Sequence, residues 1–148
     1  MKRILLKNVY DAFEYVMDHY YPNGLEELAA RNDTYAVISI QDTHTDGFGF
    51  VFTKSKACKD VLTLYFDDVE REVKGAKAFS IDDASRIIEF VDKNKDVDTL
   101  LVHCYGGESR SRAVAGFIRE YLGKDGSVFL NTGHPNKLVY ETLKKAVK

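Results

Sequence analysis

The sequence predicts a single α/β domain, a central and mainly parallel sheet of four to five strands with helices on both faces. Three observations carry this. Short apolar runs alternate with longer amphipathic stretches along the chain. Its 148 residues are enough to bury a core. No repeat, low-complexity tract or Pro/Ser-rich linker divides it, so residues 1–148 read as one domain.

Taken in order, "RILL" (3–6) reads as a first strand. Val9, Phe13, Val16 and Tyr20 then share one helical face behind Asn8, a good N-cap. "YAVISI" (35–40), "VLTLYF" (61–66) and "TLLVH" (99–103) are too short for helices and rich in β-branched or aromatic residues, so they read as buried strands. Between the last two lies "FSIDDASRIIEFVDKN" (79–94). Ser80 and Asp83 have capping-box spacing, and Ala84, Ile87, Ile88 and Val91 follow at i, i+3, i+4, i+7. Val114, Phe117, Ile118 and Tyr121 repeat that spacing, and Gly123 suits a left-handed helix end. A last helix is expected to open near Pro135 and to turn Val139, Leu143 and Val147 inward. Strands alternating with helices imply parallel pairing, which places ligand sites where strand C-termini meet helix N-termini.

Composition removes several classes. An apolar fraction of 45% with 30% charged residues is that of an ordinary globular chain, and no apolar run is long enough for a bilayer. Asp11 and Glu14 interrupt any signal-peptide core, so the start reads as mature protein. A formal net charge of −2 offers nucleic acid no global attraction, and no membrane partner is expected. Two cysteines are too few for a disulfide scaffold or a zinc site, and His19, His44 and His134 lack ligand spacing, so no metal is expected. A reducing, cytoplasmic setting follows. "QDTHTDGFGFVF" lacks a G-x-G-x-x-G pattern, and Phe48, Phe50 and Phe52 alternate like a short strand.

The chemistry concentrates in "LLVHCYGGESRSRAVAGF" (100–117). His103 closes a strand and Arg110 opens a helix, so Cys104 to Arg110 form the turn between them. Gly106 and Gly107 allow φ > 0, which lets Tyr105, Gly106, Gly107, Glu108 and Ser109 curl with their N–H groups inward. Those donors and the positive end of the helix make a cradle for a tetrahedral oxyanion. Arg110 adds a planar fork for two of its oxygens. The same field favours thiolate over thiol at Cys104, a nucleophile aimed at the bound phosphorus. Each residue alone reads as turn or core. Together, H-C-x-x-G-x-x-R-[ST] should arise by chance in roughly one chain of this length in tens of thousands.

"HCYGGESRS" resembles the active-site loop of the protein tyrosine phosphatase superfamily, in its compact dual-specificity branch. The resemblance implies a cysteinyl-phosphate mechanism that needs no cofactor. In it Cys104 attacks phosphorus, Arg110 binds the phosphoryl oxygens, Ser111 supports the leaving thiolate and His103 orients the cysteine. It implies a phosphorylated protein or another phosphomonoester as substrate, with phosphate, sulfate or vanadate able to occupy the loop. The family also uses an aspartic acid some thirty-odd residues upstream. "LTLYFDDVERE" offers Asp68 first, Asp67 as the close alternative and Glu70 third. "FSIDDASRIIEFV" resembles the family's helix before the active-site strand, and "HPN" (134–136) a Pro-Asn pair that opens a late helix. Asn136 there either supports the loop or simply caps the helix.

Departures from the family sharpen the reading. The chain has no tryptophan, so the Trp-Pro-Asp acid loop of the large tyrosine-specific enzymes is missing. The loop carries Glu108 and no lysine, unlike phosphoinositide-specific relatives, and a carboxylate beside a dianion is expected to face outward. Arg112 reads as an exposed helical residue. Cys58 is expected in a loop as a structural cysteine, although an oxidative disulfide with the loop cysteine is a theme of the family. The rival class is a non-catalytic phosphate-binding module. Sulfurtransferases have shorter loops and arsenate reductases need partner cysteines, so both fit less well.

Overall fold

The structure is a computed structural model that describes residues 1–21, 33–43 and 51–147. Its elements are β1 (Arg3–Lys7), α1 (Val9–Tyr20), β2 (Tyr35–Gln41), β3 (Cys58–Tyr65), α2 (Ile81–Lys93), β4 (Thr99–His103), α3 (Arg110–Tyr121), α4 (Ser127–Leu130) and α5 (Lys137–Ala146). The four strands form one sheet in the order β1-β4-β2-β3, and every pairing is parallel. The expected α/β architecture is therefore present, with four strands among the described residues.

Alternation along the strands builds a core on each face. Ala36, Ile38 and Ile40 of β2 and Leu100 and Val102 of β4 pack with α2, α3 and α5 through Ile87, Val91, Val114, Ile118 and Leu143. Tyr35, Val37 and Leu101 point the other way, onto Ala12, Val16 and Tyr20 of α1. β4 is buried at all five positions because it has neighbours on both edges and helices on both faces.

The helix signals hold at several ends. Asn8 accepts the Asp11 amide at 2.8 Å. Ser80 and Asp83 form a full capping box, with Asp83 in place of the usual Glu. Gly123 takes φ +80° just past α3. Other expectations fail for identifiable reasons. Phe13 is exposed, and Ala12 takes the inward position on α1. α5 starts at Lys137, with Asn136 as N-cap accepting the Val139 amide at 3.0 Å, so Pro135 lies outside the helix. Val147 falls beyond α5 and is exposed.

Cys58 opens β3 rather than lying in a loop, and it is buried. The charges of Lys59 and Asp60 hide this half of the strand from a hydropathy reading. Buried Asp60 is held by the Asn94 amide at 2.9 Å and Lys93 at 3.2 Å. Cys58 and Thr99 both lie level with Tyr35, whereas Cys104 follows the far end of β4. Five residues of strand rise separate the two levels by about 16 Å, well beyond the span of a disulfide. The two thiols also belong to opposite core layers.

Candidate active site

The turn from β4 into α3 is held from outside by its carbonyls. Tyr105 O accepts the Val9 amide at 3.1 Å, Glu108 O the His134 amide at 2.9 Å and Ser109 O the Asn136 amide at 3.1 Å. Carbonyls drawn outward leave the loop's amides to its concave side, and the Gly107 amide reaches Cys104 Sγ at 3.2 Å. Of the two loop glycines only Gly107 has positive φ, at +73°. A Cβ there would also come within 3.2 Å of the Lys7 and Asn8 backbone, so the loop sits directly on the β1–α1 junction.

Cys104 is buried, with Ser111 Oγ 3.0 Å from its sulfur. Arg110 is 5% exposed. Its Nη1 donates to Asp42 Oδ1 at 2.7 Å and to the Phe66 carbonyl at 2.8 Å. Its Nε is buried without a partner among the described residues. The guanidinium is thus anchored at its Nη1 corner.

His103 is fully buried between Ser39 Oγ, 2.7 Å from Nε2, and the Cys104 carbonyl, 3.2 Å from Nδ1. Phe52 meets its ring edge-on at 5.4 Å. Burial lowers its pKa to about 4, with Arg110 pushing the same way and the Cys104 carbonyl opposing. The imidazole is neutral near pH 7, so it can orient the cysteine backbone but brings no positive charge.

The paired aspartates lie in different surroundings. Asp67 is buried and accepts Thr43 N at 3.1 Å, Thr43 Oγ1 at 2.6 Å and Lys77 N at 2.8 Å. It ties the exit of β2 to both ends of the segment after β3. Asp68 is exposed, and its Oδ1 accepts Ser109 Oγ and Asn136 Nδ2, each at 2.8 Å. Glu70 accepts the Lys137 amide at 2.7 Å, at the N-terminus of α5. Asp68, Arg71, Ser109, His134 and Lys137 line an open groove of about 720 Å³ beside the loop.

Glu108 is exposed on the loop's rim and Tyr105 is half-exposed next to Cys104, edge-on to Tyr10 at 6.2 Å. Arg112 is not the exposed residue expected. Its Nη1 donates to Thr132 Oγ1 at 2.6 Å, and it packs so closely under Gly133 that a Cβ there would meet its Nε at 2.5 Å. His134 is exposed and serves the loop through its amide, whereas His19 lies 3.5 Å from Asp33 and stacks on Tyr15. His44, Phe48 and Phe50 lie outside the described residues. Among the described residues no group of His, Cys, Asp and Glu is placed to hold a metal ion, and no helix is long and apolar enough to cross a membrane.

Sequence reading missed Asp42 and Ser39. Ser39 lies near the C-terminal end of β2 and Asp42 directly follows that strand, which runs beside β4 in the parallel sheet, so topology was the available signal.

Comparison with known proteins bears on the fold. No family model and no curated protein matches the chain. Among the solved structures that match it are three that align with nearly all of the chain. Tk-PTP in its active form has 15% identity and a TM-score of 0.59, covering 99% of this chain and 91% of that one. The human tyrosine phosphatase-like serine/threonine/tyrosine-interacting protein has 17% identity and a TM-score of 0.58, covering 98% and 95%. PTPMT1 in complex with PI(5)P has 15% identity and a TM-score of 0.55, covering 99% and 90%. The chain therefore has a protein tyrosine phosphatase fold of the compact, dual-specificity-like kind.

Proposed function

We propose that this chain is a cysteine-dependent phosphomonoesterase, a tyrosine or dual-specificity protein phosphatase working through a cysteinyl-phosphate. The observation that carries the reading is the anchored Arg110, whose Nε has no partner among the described residues and which closes the same buried loop as the Cys104 sulfur. A phosphate dianion seated there takes the Nε–Nη2 edge and the loop amides.

Cys104 Sγ attacks phosphorus in line, and the bond to the ester oxygen breaks as Asp68 supplies that oxygen with a proton. Asp68, now a carboxylate, takes a proton from water as the water attacks the phosphocysteine. The S–P bond breaks, inorganic phosphate forms, and Ser111 Oγ at 3.0 Å hydrogen-bonds the departing thiolate. His103, as a neutral ring, keeps the Cys104 carbonyl and hence the loop's first turn in place.

The substrates are phosphorylated proteins, phosphotyrosine foremost, or other phosphomonoesters. One neighbour was solved with PI(5)P. In this chain Glu108 on the rim repels the additional phosphates of such a ligand. The test is hydrolysis of 4-nitrophenyl phosphate by reduced protein, with Cys104→Ser expected to abolish turnover while vanadate still binds. Oxyanion binding by the wild type without turnover would instead make the chain a phosphate-binding module.

A further inference from the structure

We infer that Tyr105 and Glu108, with Tyr10 braced against the first, form a cation-selecting rim around the phosphate cradle, so that the preferred substrates are phosphorylated protein segments with arginine or lysine beside the phosphoresidue. Turnover of such segments rests on the phosphatase reading above; their preferential binding does not.

Between Cys104 and Arg110 the exposed side chains are those of Tyr105 and Glu108. Cys104 and Arg110 are themselves buried, and the Arg110 Nε has no partner among the described residues. A phosphoryl group that reaches them passes a rim that offers one aromatic ring and one carboxylate.

Tyr105 stands on the α1 side, because its carbonyl accepts the Val9 amide at 3.1 Å. There its ring meets that of Tyr10 edge-on at 6.2 Å, and both stay largely in water, at 52% and 67% exposure. A hydrogen bond between the two phenols, with the Asp42 carboxylate acting the same way, holds Tyr105 protonated above the ordinary tyrosine range. Neither ring contributes to the core. Two solvated rings braced against each other at a ligand site offer their faces to a cation.

The charge on this side favours the same guest. The Glu108 carboxylate makes no hydrogen bond or ion pair among the described residues. Gly107 beside it packs on the Lys7 and Asn8 backbone, which brings the first turn of α1 next to the loop. Asp11 in that turn accepts Asn8 Nδ2 at 3.0 Å and lines an open groove of about 330 Å³ with Lys7, Glu14, Tyr15 and Asp18. Lys7 there lies over the Tyr15 ring at 5.7 Å. Arg71, His134 and Lys137 line the separate groove beside Asp68. A basic side chain next to the phosphoresidue therefore gains on the α1 side, where an acidic one is repelled.

The test uses three phosphotyrosine peptides that differ only in the neighbours of the phosphoresidue: two arginines, two alanines or two glutamates. Cys104→Ser protein gives dissociation constants by fluorescence anisotropy, and reduced wild type gives kcat/KM. The arginine peptide should bind about tenfold tighter than the glutamate peptide, with alanine between, and the ratio should shrink in about 0.5 M salt. Adding Glu108→Lys should reverse the order. Adding Tyr10→Leu should weaken the arginine peptide about two- to fivefold and leave the glutamate peptide unchanged. Equal binding of the three peptides, tighter binding of the glutamate peptide, or an order indifferent to Glu108→Lys overturns the inference. A wild type inert towards every peptide and 4-nitrophenyl phosphate, with the arginine preference kept in binding, sinks the phosphatase reading and leaves the rim standing. Equal turnover and equal binding of all three peptides does the opposite.

Discussion

Arg110 and Asp42 are 68 residues apart in sequence and 2.7 Å apart in the fold. The pair is 6% and 20% exposed at its side chains, so water screens it only in part. With the Phe66 carbonyl on the same nitrogen, the guanidinium is held at its Nη1 corner. Asp42→Asn weakens that anchor, and Asp42→Ala leaves it to the Phe66 carbonyl alone. A hydrogen bond to a charged group is worth about 1.5–3 kcal/mol, so Asp42→Ala should weaken vanadate binding by about tenfold or more. Competitive inhibition by vanadate measures this, and unchanged affinity would show that Arg110 needs no anchor.

The two aspartates should separate cleanly. Asp67→Ala strips the partners of the Thr43 and Lys77 amides and should cost about 3 kcal/mol of stability, read from urea denaturation. Asp68→Ala, which gives up two hydrogen bonds at an exposed carboxylate, should cost less stability than Asp67→Ala and lower turnover by about two to four orders of magnitude. The reverse assignment would place the acid at Asp67.

His103 gives the fold a pH dependence with a definite sign. Its pKa is about 4 when folded against an ordinary 6.5, so below pH 6.5 the unfolded chain binds the proton first. The stabilisation is complete above pH 6.5 and is lost as pH falls towards 4, up to about 3 kcal/mol. His103→Gln does not titrate, so its stability curve should be flatter than wild type between those limits. Parallel curves would mean that the folded ring takes up its proton as readily as the unfolded one.

The two cysteines should differ sharply towards iodoacetamide. Burial pushes the Cys58 thiol up to about 11, and it lies among Tyr35 and Val37 on the far face of the sheet. At pH 7 native protein should be alkylated at Cys104 and protected there by phosphate, while Cys58 reacts only after unfolding. Peptide mapping reads this directly. Native-state labelling of Cys58 would contradict its placement.

The cysteine loop was legible because its chemistry is packed into nine consecutive residues between a strand and a helix, both visible in the hydrophobic pattern. The capping box of α2 was legible for the same reason, since Ser80 and Asp83 are three residues apart. Asp42 was not, because its meaning depends on β2 lying beside β4, and nothing local marks that distance. The first half of β3 was hidden by Lys59 and Asp60, the latter's carboxylate being held by Asn94 and Lys93 from another element. Between these extremes stands Asn136. Its capping role is local, but its bond to Asp68 is tertiary.

The central claim is a phosphorus–sulfur bond at Cys104. Asp68→Asn protein, mixed with 4-nitrophenyl phosphate and quenched in acid within the first turnovers, should carry a phosphoryl group on the peptide containing Cys104, as read by mass spectrometry. Cys104→Ser should carry none. Hydrolysis by the wild type with no phosphorylated cysteine trapped, or a phosphoryl group found on another residue, would contradict the mechanism.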